Sequence, residues 1–369
     1  MPGIRYFFER KSRMNNIPEL TTLCYIEKDD KYLMMHRVKK QNDINKDKWI
    51  GIGGHLEGTE SPEECLLREA MEETGLKLTS YRMRGIVTFV SGDGCLEYMA
   101  LYTADGYEGE IGECSEGTLE WVDKDKVYDL NLWEGDKIFF LLLERNEPFF
   151  SLKLVYDGHG KLVDAQLNGK KMELLDILDE TTLLPSGVWE ERNVAHRTGS
   201  LHATVHMWVV RAAEVNFPEG PESGKDWEIL VQKRSRTKDS NPGCYDISSA
   251  GHISAGQLPL DAAVRELEEE LGIRVQADAL QPCGYTLRKA VKPFYDQFWT
   301  DYQKSYVFIY EGEVDETGLR LQEEEVEEVR WFRLSEIIKK VEATDGTFPH
   351  CFNLKELYQI REYLETQSK

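Results

Sequence analysis

No run of these 369 residues is long and apolar enough to cross a membrane. The longest strongly apolar stretch is Ile138–Leu143, against the roughly 20 residues a spanning helix requires. Residues 1–13 are basic but lack the apolar core of a secretory signal, so a cytoplasmic protein with no membrane partner is expected. Cysteine is sparse. Cys24, Cys65, Cys95, Cys114, Cys244, Cys283 and Cys351 are odd in number and include no Cys-x-x-Cys pair, which argues against both a disulfide framework and a cysteine zinc site. Positive charge is short as well: 45 Lys and Arg face 67 Asp and Glu, a formal net charge of −22. Such a surface repels a polyphosphate backbone, so long nucleic acid is not an expected partner. A small phosphorylated ligand is compatible with it, because clustered carboxylates hold divalent metal ions that in turn hold phosphates.

What is present is an ordinary globular composition, 41% hydrophobic and 30% charged, on a chain long enough for two cores. Met14 opens a second start, and residues 1–13 show no periodicity that would dock them, so they are expected to be an unstructured extension. Thr21–Glu27 and Tyr32–Arg37 read as strands joined by the turn at 28–31. Val205–Arg211 and Trp227–Arg234 repeat that opening across the Gly/Pro/Glu-rich loop at 216–226. Each hairpin is followed by the same text. Gly54-His-Leu-Glu-Gly-Thr-Glu60 leads to Arg68-Glu-Ala-Met-Glu-Glu-Thr-Gly-Leu76; Gly251-His-Ile-Ser-Ala-Gly-Gln257 leads to Arg265-Glu-Leu-Glu-Glu-Glu-Leu-Gly-Ile273. The offset, 265 − 68 = 197 positions, gives each copy a domain of its own, placed at 14–169 and 172–369 with the seam at Lys170-Lys171.

Ser61, Pro62 and Glu64 read as the N-cap, first helical residue and capping-box partner of a helix that Gly75 ends. At roughly 100° per residue, Glu69, Glu72 and Glu73 share one arc, and Leu66, Leu67, Ala70 and Met71 the neighbouring arc that can pack on a sheet. Converging carboxylates repel unless a metal ion or a cation offsets them, and Arg68 offsets only part. A Glu-rich helix face alone is usually just solvated. Here the upstream Gly, Glu60, Arg68 and Gly75 stand at set spacings, and the pattern occurs twice. It closely resembles the Nudix box, with Ala70 in an aliphatic position of the first copy and Gln257 in an acidic position of the second. The resemblance implies an α/β fold, two Nudix-type α/β/α sandwiches with mixed sheets in tandem. It also implies hydrolysis of nucleoside di- or triphosphate derivatives with Mg²⁺, or Mn²⁺, as cofactor. Glu69, Glu72 and Glu73 would be metal ligands or bases, the Gly53 carbonyl a further ligand, Arg68 the partner that orients the glutamates, and Glu60 a supporting acid. Glu116, five residues before Trp121, would be one more metal-side acid; the other reading is a surface glutamate.

The segment from Trp133 to Asp136, leading into the helix-like run 137–143, is similar to the 8-oxo-dGTP diphosphatase branch. That likeness implies Trp133 and Asp136 as substrate-binding residues, with Gly135 in place of a second acid and Ile50 in place of a base-reading Asn. The alternative for Trp133 is packing at a helix start. In the second copy Arg265, Glu266, Glu269 and Glu270 keep the metal and catalytic positions. Its lead-in, Leu174–Glu180 and then His196, His202 and His206, is similar to the isopentenyl diphosphate isomerase-like branch, whose His ligands stand at positions resembling His196, His202 and His252. Ala250 occupies the position of the isomerase thiol, which leaves a diphosphatase of unknown substrate; the alternatives are a non-catalytic ligand sensor or an isomerase relative. His196, His202 and His252 read as hydrogen-bonded structural residues in preference to zinc ligands. Glu324 or Glu325 would supply the acid that Glu116 supplies in the first copy.

Overall fold

The computed structural model describes residues 18–39, 45–92, 94–213, 226–238, 241–294 and 297–367. The expected extension at 1–13, and all of the 216–226 loop but Asp226, lie outside them. The chain forms two compact units that meet in sequence between Leu174 and Leu175. Lys170-Lys171 are not the boundary; they pair with the preceding strand and finish the first sheet.

The first unit contains β1 (Glu19–Lys28), β2 (Lys31–His36), β3 (Trp49–Ile50), α1 (Pro62–Thr74), β4 (Lys77–Val90), β5 (Leu96–Glu108), β6 (Thr118–Asp123), α2 (Asp136–Glu144), β7 (Phe150–Tyr156), β8 (Leu162–Leu167) and β9 (Lys170–Lys171). The sheet order is β3-β2-β1-β5-β4-β7-β8-β9, with β6 also on β2. It is a mixed sheet: β1 with β5 and β4 with β7 run parallel, the other pairs antiparallel. The turn between β1 and β2 holds Asp29 and Asp30 at φ 49° and 61°. Two left-handed residues make a tight turn whose twist matches the strands it joins.

Alternation along β1 sends Cys24 and Ile26 to a core shared with Leu66 and Ala70 of α1. Tyr25 points the other way, its ring 4.7 Å from Phe140 and 5.8 Å from Phe139 of α2. The sheet is thus buried on both faces. Helix α1 starts as its sequence dictates, with a complete Ser61/Glu64 capping box, and stops at Gly75 in the left-handed region. Its buried stripe corrects the sequence reading. Cys65, Leu66, Ala70 and Thr74 face inward, while Leu67 and Met71 are exposed.

The second unit contains β10 (Leu174–Leu178), β11 (Pro185–Glu191), α3 (Arg192–Thr198), β12 (His202–Ala212), β13 (Trp227–Arg234), β14 (Tyr245–Asp246), β15 (Ser249–His252), α4 (Pro259–Leu271), β16 (Leu280–Phe294), β17 (Gln297–Tyr310), β18 (Val326–Arg333), α5 (Leu334–Glu342) and α6 (Leu354–Gln367). Its order is β11-β10-β12-β13-β14, with β15 and β17 also on β12, β16 on β17 and β18 on β13. The pairing of β12 with β13 and, in parallel, with β17 repeats that of β1 with β2 and β5. Val205, Met207 and Val209 of β12 pack with α4, and Trp208 and Val210 with α5 and α6. Among the described residues, no helix is long and apolar enough to cross a membrane.

Candidate active site

In the first unit the loop after β3 passes close under α1, and its glycines make that approach possible. A side chain on Gly54 would collide with the Glu69 carboxylate, and one on Gly53 with the Thr22 carbonyl. The Gly53 amide donates to Glu73 at 2.9 Å. Arg68 binds Glu60 at 2.7 and 3.0 Å, Glu69 at 2.7 Å, Glu72 at 3.3 Å and the His55 carbonyl at 3.0 Å. The arginine therefore sets Glu60 and Glu69 in place, as a planar fork with five donors can.

The three box glutamates are not equivalent. Glu73 is buried, Glu69 is half-buried against Gly54, and the Glu72 side chain is 60% exposed. Burial pushes the Glu73 carboxyl up to about 8, with Glu69 and Glu116 adding to the rise and the Gly53 amide and Arg37 opposing it. Glu60 is held down to about 2 by its hydrogen bonds from Arg68. Glu116 pairs with Arg37, just past β2, and its charge is felt at Glu73, so it faces the box helix. The carboxylates here, Glu60, Glu69, Glu72, Glu73 and Glu116, outnumber the cations Arg37 and Arg68 paired with them.

The second unit repeats the arrangement with one weakened link. A side chain on Gly251 would collide with Glu266; the Ala250 amide donates to Glu270 at 3.2 Å, and Gln232 donates to it at 3.3 Å. Arg265 reaches Glu266 and Glu269 at 2.8 Å each and the His252 carbonyl at 3.2 Å. Its contact with Gln257 is 3.5 Å, where the first unit has a charged bond of 2.7 Å. Burial raises Glu266 to about 7 and raises Glu270. Of Glu324 and Glu325, it is Glu325 that pairs with Lys238, whose charge acts on Glu270.

Trp133 and Asp136 come together at the start of α2. The Trp133 indole donates to Asn45 at 2.8 Å, Lys48 lies 5.1 Å over its ring, and Phe89 and Tyr156 meet it edge-on. Asp136 is buried, and burial pushes its carboxyl up to about 8 against the pull of Lys48. Gly135 has no room for the absent acid: a side chain there would strike Leu154 and Tyr156, whose hydroxyl accepts from the Gly135 amide at 3.0 Å.

His196, His202 and His252 converge, with ligand atoms within 4.8 Å of one another. His202 Nδ1 is 2.9 Å from the Ser200 carbonyl, while its buried Nε2 has no partner among the described residues. Burial lowers all three imidazoles, His196 to about 4, so they are neutral and could hold a transition metal. Sequence reading missed the Arg37–Glu116 and Lys238–Glu325 pairs, Lys48, and a buried pair between His206 and Glu356. Only the position of Arg37 directly after β2 hinted at the first of them.

Two mixed sheets thus each carry an Arg-bound glutamate helix against a glycine loop. The NUDIX domain model matches residues 18–143 and 218–351, and the chain belongs to the Nudix hydrolase family, as a pyrophosphohydrolase. It is 36% identical over 146 residues to Nudix hydrolase 3 of Arabidopsis thaliana, covering 40% of this chain and 17% of that relative's length. It is 30% identical over 130 residues to the oxidized purine nucleoside triphosphate hydrolase of Danio rerio, covering 35% of this chain and 83% of that one. The crystal structure of a mutator MutT protein from Bacillus halodurans aligns over 41% of this chain and 99% of its own, at 26% identity and a TM-score of 0.37.

Proposed function

We propose that the first unit is a Mg²⁺-dependent nucleoside triphosphate pyrophosphohydrolase that accepts oxidised purines, of the 8-oxo-dGTP diphosphatase kind, and that the second is a diphosphatase for a different substrate. The observation that carries the reading is the packing of the box glutamates on the glycine loop, buried Glu73 on the Gly53 amide and half-buried Glu69 on Gly54, matched by Glu270 on the Ala250 amide and Glu266 on Gly251 in the second unit. The relative named for oxidised purine nucleotides supports the substrate. Mg²⁺ or Mn²⁺ held by Glu69, Glu72, Glu73, Glu116 and the Gly53 carbonyl would neutralise phosphate charge and make water a better nucleophile. The protein's part is geometric. Arg68 orients Glu69 through a bond it shares with Glu60, the Gly53 amide aims Glu73, and Glu72, the most exposed of the three, can accept the proton of the attacking water. Trp133 offers an aromatic face to the base, and Asp136, protonated at neutral pH, can donate to its edge.

In the second unit Arg265, Glu266, Glu269 and Glu270 play the same parts. Its isomerase alternative lacks a thiol at Ala250, and a sensor role would follow if Gln257 leaves the box too weak to turn over. The His196, His202 and His252 cluster favours one addition to this reading, a transition-metal ion held apart from the Mg²⁺ box. The test is product analysis with the full chain on 8-oxo-dGTP, dGTP and a panel of nucleotide diphosphates, with metal content measured on the same protein. Release of pyrophosphate and monophosphate that stops in Glu73→Gln supports the first assignment; unchanged turnover in that variant refutes it.

A further inference from the structure

His206 lies on the β12 face that meets α6, opposite the face packed on α4. Its partner across β15 is Ala250, the residue whose amide holds Glu270. Both of its interactions with α6 run through one side chain. Glu356, 2% exposed, accepts from His206 Nδ1 at 2.9 and 3.0 Å, from Trp208 at 2.8 Å and from Thr286 at 3.3 Å. A carboxylate this deeply buried requires a compensating cation, and His206 is the one hydrogen-bonded to it. The charged groups that act on His206 are Glu356, Asp246 and Arg288; burial pulls the imidazole down, and the two acids outweigh it. With Nδ1 committed to Glu356, the free edge is Nε2. It has no protein partner among the described residues, and the side chain is 21% exposed.

Register shows what stands at these places in the first unit. Thr21 pairs with His55 as Thr204 pairs with His252, so Leu23 occupies the place of His206. The pairing of β2 with β3 and of β13 with β14 likewise sets Ile50 at the place of Asp246. Asp246 acts electrostatically on both His206 and Glu270, and the strand pairing of His206 with Ala250, whose amide holds Glu270, ties the imidazole to the box loop. Two apolar positions of one unit are thus an imidazole and a carboxylate in the other.

We propose that His206, held by Glu356, is the specificity-determining donor of the second unit. Its Nε2–H is offered to an oxygen of the group attached to the diphosphate, so the unit takes diphosphates bearing a hydroxyl- or carbonyl-rich group and rejects hydrocarbon tails. The inference rests on the reading of the second box as a diphosphate site. An apolar chain laid against a charged imidazole strips its water and returns no hydrogen bond, whereas a sugar or nucleoside oxygen replaces the water it displaces.

The test is calorimetric binding to the full chain in Mg²⁺, with Glu69, Glu72 and Glu73 all changed to Gln so that binding reports the second box. The probes are the non-hydrolysable methylene analogues of pyrophosphate, ADP-ribose and geranyl diphosphate. The ADP-ribose analogue should bind more tightly than the geranyl one. His206→Leu should weaken it about 10- to 100-fold, the worth of a charged hydrogen bond, and leave the pyrophosphate analogue unchanged. Because His206→Leu strands a buried carboxylate, the pair His206→Leu with Glu356→Gln is measured beside it and should show the same loss. Equal affinity for the geranyl analogue, or an undiminished preference in the folded double variant, overturns the proposal. Failure of the parent protein to bind even the pyrophosphate analogue overturns the reading of the box, and this inference with it.

Discussion

At the scale of single residues, burial and charge oppose each other most at Glu73 and Asp136. Glu73→Gln removes an ionisable carboxyl from a site where burial, Glu69 and Glu116 all oppose its charged form, and keeps an acceptor for the Gly53 amide. Hydrolysis by the first unit should fall by more than roughly 100-fold, beyond the loss typical of an outer-shell group, while the melting temperature holds or rises. Kinetics and thermal melts on the same preparation check it. Asp136 has an ordinary value of 3.8 and sits at about 8 in the folded protein, so folding favours its protonated form. That contribution is fully present below about pH 4 and lost as pH rises through about 8. Asp136→Asn should therefore leave stability nearly unchanged near pH 4 and raise it above pH 8, by on the order of 1–3 kcal/mol in melts across that range. The same ionisation should alter discrimination between oxidised and ordinary purine triphosphates near pH 8, an effect the variant abolishes. Glu69, Glu72, Glu73 and Arg68 were legible in sequence because one helix carries them at short spacing. Arg37, Lys48 and His206 were not, since their partners lie on other strands and helices.

At the scale of elements, the two box helices differ at their first turn. Ser61 accepts from the Glu64 amide and Glu64 accepts from the Ser61 amide, whereas α4 begins at Leu258, which has no side-chain cap and is 66% exposed. Ser61→Ala should cost about 1 kcal/mol and Leu258→Ser should gain a comparable amount, read from the denaturant midpoint of each unit's transition. A swap with no effect in either helix would mean that packing alone holds both ends. The glycine loop and its helix also act together through Arg68 or Arg265. Gln257→Glu should replace the 3.5 Å contact of Arg265 with a charged bond like that of Glu60, and increase hydrolysis by the second unit; no gain would separate that position from turnover. The cap and the stop of α1 were readable because both are local chemistry. Its buried stripe was not, because Leu67 and Met71 are as apolar as Leu66 and only the angle at which the helix crosses the sheet chooses among them.

At the scale of the whole molecule, each unit has its own sheet, glycine loop and box helix, so disabling one box should spare the other. With Glu73→Gln in the first unit, any diphosphate hydrolysed by the second should still be cleaved, and isopentenyl diphosphate should yield no dimethylallyl diphosphate; product analysis by mass spectrometry decides both. The amino-acid sequence by itself determined that there are two units, that each is a mixed α/β fold, and that each places three glutamates and an arginine on one helix, because repeats, caps and helical spacing are written between near neighbours. Only tertiary structure decided that Glu73 is buried while Glu72 faces solvent, that Glu325 and not Glu324 meets Lys238, and that three histidines converge. It also joined His206 to Glu356 across 150 positions of chain. Those contacts depend on which strands lie side by side and which helix covers them, and no local pattern of residues encodes the distance between groups that far apart in the chain.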